Sequence, residues 1–172
     1  MDAKAEEIKN LEIFKKLIYA SGQELEDIFE ACLKKLGGII GDARYSDEEF
    51  VLHYEGESYL VECKGVGKSI SRSHVLQLLG YLTKFEETEG RSGKGILFGN
   101  AWRDIPPTQR GETATVIFPD NVIGMAVSNN IALLASTEFF QAFCDFLAGE
   151  ITGKVILDRI TNAVGVVQLH GI

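Results

Sequence analysis

Apolar residues recur along this chain with two periods, and the switches between them set the order of elements. Ile8, Leu11, Phe14 and Ile18 stand at helical spacing and predict an amphipathic opening helix over 4–18. It packs on the body, pairs with a second copy, or is the stump of a longer parent. A second helix starts at Ser21, where Ser21-x-x-Glu24 has the form of a capping box, and stops at Gly37-Gly38. Its inward stripe is Leu25, Ile28, Phe29, Cys32, Leu33 and Leu36, with Glu26 on the edge. A short strand at 38–40 and a polar turn from Asp42 to Glu48 lead into period two, where 50–54 and 58–64 predict a hairpin about Glu55-Gly56.

The helical period returns over 71–89, with Val75, Leu78, Leu82 and Phe85 inward and Gly90 as the stop. Continuous apolar runs at 95–99 and 131–135 predict short buried strands, while 100–111, with Pro106-Pro107, reads as loop and 116–118 is too brief to assign. Helices follow over 137–148 and 153–163, and 166–169 predicts a closing edge strand. This order predicts an α/β fold, a mixed sheet sandwiched between helices. The length of 172 residues suits an amphipathic helix over 1–20 followed by one domain over 21–172.

An apolar fraction of 45% and a charged fraction of 24% are those of an ordinary globule, without a run of membrane-spanning length. The acidic, polar N-terminus is unlike a secretory or transit peptide. Cys32, Cys63 and Cys144 are widely spaced, which predicts reduced thiols in a cytoplasmic protein and argues against a zinc site. The net charge of −8 opposes indiscriminate nucleic-acid binding, but the charge is uneven. Residues 1–62 hold 7 Lys/Arg against 15 Asp/Glu, residues 63–110 hold 8 against 4, and residues 111–172 hold 2 against 6. Acids followed by bases is the layout of a metal site bordered by a phosphate-contacting surface, with Lys68, Arg72, His74 and Arg103 as the candidate contacts. Ordinary variation of surface charge is the rival account.

The candidate chemistry lies in Tyr59-Leu60-Val61-Glu62-Cys63-Lys64-Gly65. Side chains alternate along a strand, so Glu62 and Lys64 share one face and Val61 and Cys63 the other. A two-residue loop at Glu55-Gly56 sets Glu49 opposite Glu62, whereas a four-residue loop sets Glu49 opposite Lys64 and Val51 opposite Glu62. Both put Glu49, Glu62 and Lys64 on one face; a three-residue loop separates them unless a bulge intervenes. Asp47 has the parity of Glu49 but lies further out. Like charges directly opposite destabilise a sheet, and a hard cation such as Mg²⁺ would compensate them. In the rival reading Glu49 is solvated and Glu62 simply pairs with Lys64.

These residues resemble the PD-(D/E)xK nuclease superfamily, whose fold is restriction-endonuclease-like, over roughly residues 22–147. The core motif is Glu49…Glu62-Cys63-Lys64. The chain is most similar to the type IV restriction-like and Holliday-junction-resolvase-like branches, in which a glutamate precedes Leu-x-x-Leu-Gly on the first core helix. Leu25-Glu26 before Leu33-Lys34-Lys35-Leu36-Gly37 matches that pattern, and Gln77-Leu78-Leu79-Gly80-Tyr81 matches the Gln-x-x-x-Tyr of the helix after the lysine strand. The family's first strand acid is usually aspartate, often after proline; here neither is present, which leaves the ligand between Glu49 and Asp47.

The resemblance implies a metal-dependent endonuclease that hydrolyses DNA, in restriction and defence or in repair. Glu49, Glu62 and the backbone carbonyl of Cys63 would hold Mg²⁺ or Mn²⁺, and Glu26 would bind a second metal directly or through water. Lys64 would orient the attacking water or offset transition-state charge, and Gln77 would orient the lysine or touch a phosphate. Dimerisation would let two sites cut two strands. The alternative is a catalytically silent module that binds nucleic acid or a protein partner. Gly65-Val66-Gly67-Lys68-Ser69 looks like the tail of a P-loop, but the full pattern needs glycine where Glu62 stands, so an NTPase is rejected. Trp102 stacks on a base or anchors its loop, and His53 and His170 read as structural.

Overall fold

The structure, a computed structural model, describes residues 2–41 and 49–171; of Glu7 and Glu49 it describes the backbone alone. Asp47, Glu48 and the predicted turn around them lie outside the described residues. The opening helix is broken into α1 (Ala3–Glu12), a 3-10 turn (Ile13–Lys15) and α2 (Lys16–Tyr19). Phe14, Leu17 and Ile18 are buried, whereas Ile8 and Leu11 remain exposed. Phe14 packs on Phe143, with ring centroids 4.9 Å apart.

α3 (Gly22–Leu36) begins and ends where its apolar period does, and the six predicted stripe residues are all buried. The Ser21 capping box does not form: the Ser21 side chain makes no cap hydrogen bond, and Glu24 pairs instead with Lys16 at 3.1 Å. β1 (Ile39–Gly41), β2 (Glu49–Tyr54) and β3 (Glu57–Gly65) form an antiparallel meander. Its hairpin turn has φ of 50° at Glu55 and 82° at Gly56, the pair of positive values that a two-residue type I′ turn requires. The far end of the hairpin is pinned to the body by the Tyr54 hydroxyl, which donates to Asp158 at 2.7 Å, and by Lys154, 2.8 Å from Glu55.

α4 (Arg72–Glu89) crosses to β4 (Lys94–Asn100), which pairs parallel with β3. After a loop with a 3-10 turn (Pro107–Gln109) come α5 (Asp120–Ser128), β5 (Ile131–Ala135), α6 (Ser136–Leu147), α7 (Gly153–Asn162) and the short β6 (Gly165–Val166). The sheet order is β1-β2-β3-β4-β5-β6, antiparallel up to β3 and parallel beyond it. α5 covers a stretch to which the sequence pattern assigns no element. Its Gly124 and β-branched Val122, Ile123 and Val127 favour helix weakly, so burial of Val122 and Ala126 on the sheet must stabilise it.

The sheet separates two apolar layers. On one side α3, α6 and α7 close over Phe50, Val61, Cys63, Phe98 and Leu134; Phe29 stacks on Phe98 at 3.9 Å and meets Phe139 edge-on at 4.9 Å. On the other, α4 and α5 cover Val51, Leu60, Leu97 and Leu133. Among the described residues no helix is long and apolar enough to cross a membrane.

Candidate active site

The two-residue turn fixes the register that the sequence left open: Glu49 is the direct partner of Glu62, Val51 of Leu60 and Tyr54 of Glu57. Leu60 and Val51 belong to the layer under α4, so by alternation Glu62 and Lys64 face that layer. On its other side Glu62 pairs with Leu97 of β4. Its carboxylate has no exposed surface, and Lys64 Nζ lies 2.7 Å from Glu62 Oε1, with the lysine side chain 20% exposed. The acid is thus locked inside the sheet with the ammonium against it, and only a fifth of the lysine side chain reaches solvent.

Among the described residues the β2–β3 ladder reaches as far as Glu49 and Glu62, and α3 comes to the site at the end of β3. A pocket of about 260 Å³ is lined by Gly22, Gln23 and Glu26 from α3 and by Glu62, Cys63, Lys64 and Gly65 from β3. Glu26, placed at a helix edge by sequence, is only 9% exposed. The Cys63 thiol points into the opposite layer, where burial, then the charges of Glu26 and Glu62, push its pKa well above the usual thiol range. That thiol is unsuited to nucleophilic work; its residue can contribute a backbone carbonyl.

On α4, Gln77 Nε2 donates to the Tyr81 hydroxyl at 2.8 Å, as the i,i+4 spacing predicts. Ser71 and His74 form a reciprocal cap at the start of this helix: the Ser71 amide donates to His74 Nδ1 at 3.1 Å. His74 is half-buried, and its pKa is lowered by burial, then by the neighbouring charges of Lys64 and Lys68. The basic candidates gather at the C-terminal ends of β3 and β4, where open α/β sheets bind ligands. Lys68 and Arg72 are exposed, and Arg103 is half-buried, 3.6 Å from Asp104. Their loops are tied together, since the Arg103 amide donates to the Val66 carbonyl at 3.2 Å and the Trp102 amide to the Lys68 carbonyl at 3.3 Å. Trp102 is a loop anchor: its indole N–H donates to the Val116 carbonyl at 3.0 Å. The P-loop likeness ends in the backbone as well, because the helix starts only at Arg72, after the buried Ile70.

Sequence reading missed Asn100, Arg110 and Ser136, which form a buried polar network behind the pocket. A polar residue closing the apolar run of β4 was the one signal for Asn100; Arg110, next to a Pro-Pro loop, looks like any surface base.

Whether these residues suit a hard divalent cation rests on their donor set. Glu26, Glu62 and Cys63 all belong to the lining of one pocket, and the two carboxyl groups and the main-chain carbonyl are all oxygen donors. Among the described residues no three His, Cys, Asp or Glu side chains form a cage. Mg²⁺ does not need one, because it keeps several waters and is held by one or two carboxylates plus a substrate phosphate. The donor set fits that cation.

No family model matches the chain, and no curated protein does. Its fold does have counterparts among solved structures. The chain is similar to restriction endonuclease FokI, with a TM-score of 0.54 and 13% identity over 91% of this chain and 30% of that one. It is similar also to restriction endonuclease FokI bound to DNA, with a TM-score of 0.60 and 12% identity over 98% of this chain and 34% of that one. It therefore spans about a third of those chains. The fold is restriction-endonuclease-like, an α/β nuclease-like architecture.

Proposed function

We propose that this chain is a Mg²⁺- or Mn²⁺-dependent endonuclease that hydrolyses DNA phosphodiester bonds. The observation that carries the reading is the β2–β3 register. It sets the Glu49 backbone opposite a wholly buried Glu62 whose carboxylate is paired with Lys64, within a restriction-endonuclease-like fold. An acid in register with a wholly buried carboxylate is hard to account for as packing. Glu62, the Cys63 carbonyl and Glu49 would hold the metal, with Glu26 as a further ligand directly or through water. When bound, the metal would polarise the phosphate and lower the pKa of a water.

The protein's own groups do the rest. Lys64, its ammonium held by Glu62 at the edge of the pocket, would offset charge as it develops on a phosphate arriving there. Gln77, steadied by Tyr81, orients the lysine or contacts a phosphate oxygen. Lys68, Arg72, His74 and Arg103 hold the backbone of the nucleic acid, contacts that position without reading sequence. The similarity to a DNA-bound restriction endonuclease favours DNA as the substrate.

The test is cleavage of plasmid, linear, branched and single-stranded DNA with Mg²⁺ or Mn²⁺, with Lys64→Ala alongside. Metal-dependent cutting lost in the variant supports the enzyme, and the preferred substrate separates restriction from repair. Folded protein that cuts none of these with metal present points to the silent binding module.

A further inference from the structure

The pocket is assembled from two stretches of chain far apart in sequence, and the seam between them is tight. A Cβ on Gly65 would stand 2.6 Å from the Ala20 carbonyl oxygen and 2.8 Å from Ser21 Cα. Residues 18–22 therefore cross directly over the end of β3 and deliver α3, with Glu26 in its second turn, to the sheet. Side chains from elsewhere hold this crossing. Arg110 Nη2 donates to the Ile18 carbonyl at 2.7 Å, and Asn100 Nδ2 donates to the Ala20 carbonyl at 2.8 Å. Asn100 is oriented in turn by two donors to its Oδ1, Arg110 Nη1 and Ser136 Oγ, each at 2.9 Å. Arg110 also donates to the carbonyls of Ile105 and Arg103, both at 3.1 Å.

Resting on the nuclease reading, we propose that Arg110 is a positioning residue: through Asn100 and the 18–22 crossing it sets Glu26 against Glu62 and Lys64, and with it the affinity of the site for a divalent cation. A guanidinium is costly to bury, and apolar packing would fasten the crossing at less cost. What a fully bonded polar hub adds is a single geometry, and it is spent on the segment that carries one wall of the pocket. The same guanidinium fixes the carbonyls of the loop bearing Arg103, so the acid side and one basic contact share an anchor.

The test is Mn²⁺ titration calorimetry on the full chain and on Arg110→Lys, Ser136→Ala, Glu26→Gln and the double variant Arg110→Lys/Glu26→Gln. Lysine keeps the charge but cannot reproduce the fork, so Arg110→Lys should weaken Mn²⁺ binding about tenfold, as loss of groups behind metal ligands does. Ser136→Ala, which removes one hydrogen bond, should weaken it less, and it serves if Arg110→Lys does not fold. In the Glu26→Gln background the Arg110 change should add nothing, because its effect passes through Glu26. Unchanged affinity in Arg110→Lys, or losses that multiply in the double variant, would overturn the proposal.

Amide hydrogen exchange without metal reads the latch itself. Exchange over 18–26 should quicken in Arg110→Lys while 131–135 is unaffected; uniform quickening, or none, counts against it. Parent protein that takes up no Mn²⁺ sinks the nuclease reading and this proposal together, whereas a binding parent with an indifferent Arg110 sinks this one alone.

Discussion

Lys64→Met removes an ammonium 2.7 Å from a carboxylate with no exposed surface, while keeping most of the stem. Deleting one partner of a buried ion pair costs about 3–5 kcal/mol, against at most about 1 kcal/mol for an exposed pair. Lys64 is 20% exposed, so solvent screening discounts the upper figure. Protonation sets a second limit. Neutralising at pH 7 a carboxylate of solution pKa about 4.3 costs ~1.36 kcal/mol per unit, or ~3.7 kcal/mol in all. The deficit at pH 7 should thus be about 2–3.5 kcal/mol, a fall in Tm of roughly 5–10 °C for a chain of this size.

Its pH dependence is the sharper signature. Without the ammonium, the folded variant holds Glu62's proton more tightly than its unfolded chain does. The variant's stability therefore falls as pH rises through that interval and recovers on acidification. The deficit relative to the parent should shrink by at most about 1.4 kcal/mol per pH unit, from about 2–3.5 kcal/mol at pH 7 to about 1 kcal/mol at pH 5. Urea melts of both proteins at pH 5, 6 and 7, free of divalent metal, read this directly. A deficit that is constant across pH, or grows toward acid, refutes the view that Lys64 holds a buried charge.

Phe29→Ala should cost about 3–5 kcal/mol in urea melts, because Phe29 touches Phe98 and Phe139 at the centre of its layer; a loss under about 1 kcal/mol would mean the layer collapses into the gap. The pKa of His74 is lowered in the folded state, so the unfolded chain binds more protons just below its ordinary value of about 6.5, and stability is lost as pH falls through that range. His74→Gln should flatten this part of the parent's stability-pH curve, and an unaltered curve would assign the acid sensitivity elsewhere. Under the nuclease reading, Lys68→Ala should weaken DNA binding evenly across sequences and reduce the slope of log K against log salt by about 0.9. A sequence-dependent loss with the slope intact would count against a phosphate contact.

Strong periodicity made most of the fold legible. Leu25 to Leu36 marked α3, and alternation through Val61, Glu62, Cys63 and Lys64 placed the acid and the lysine on one face before any coordinates. Pairing was legible only to within three loop lengths, since φ at Glu55 and Gly56, not their identity alone, decides among them. What periodicity cannot register is an element held by tertiary burial, such as α5, or a polar group whose partners are distant in sequence. Arg110 bonds to Ile18, 92 residues away, and Asn100 to Ala20, 80 away. Ser21 and Glu24 show the opposite error, a local motif overridden because Lys16 offers Glu24 a different partner.

β3 is the strand on which the sheet changes sense, antiparallel to β2 and parallel to β4, and this has a consequence for how the site comes into being. The hairpin side closes through a two-residue turn, an event of roughly 1–10 μs. The parallel side needs α4 as a crossover and the long loop closures that slow non-local pairing. Glu62 and Lys64 therefore lie where early and late assembly meet. A chain with the hairpin alone would carry both residues in water, with neither the β4 ladder nor the α3 wall beside them. The buried charge and the pocket arrive only with the last long-range contacts, so under the nuclease reading a nascent or partly unfolded copy would be an inactive one.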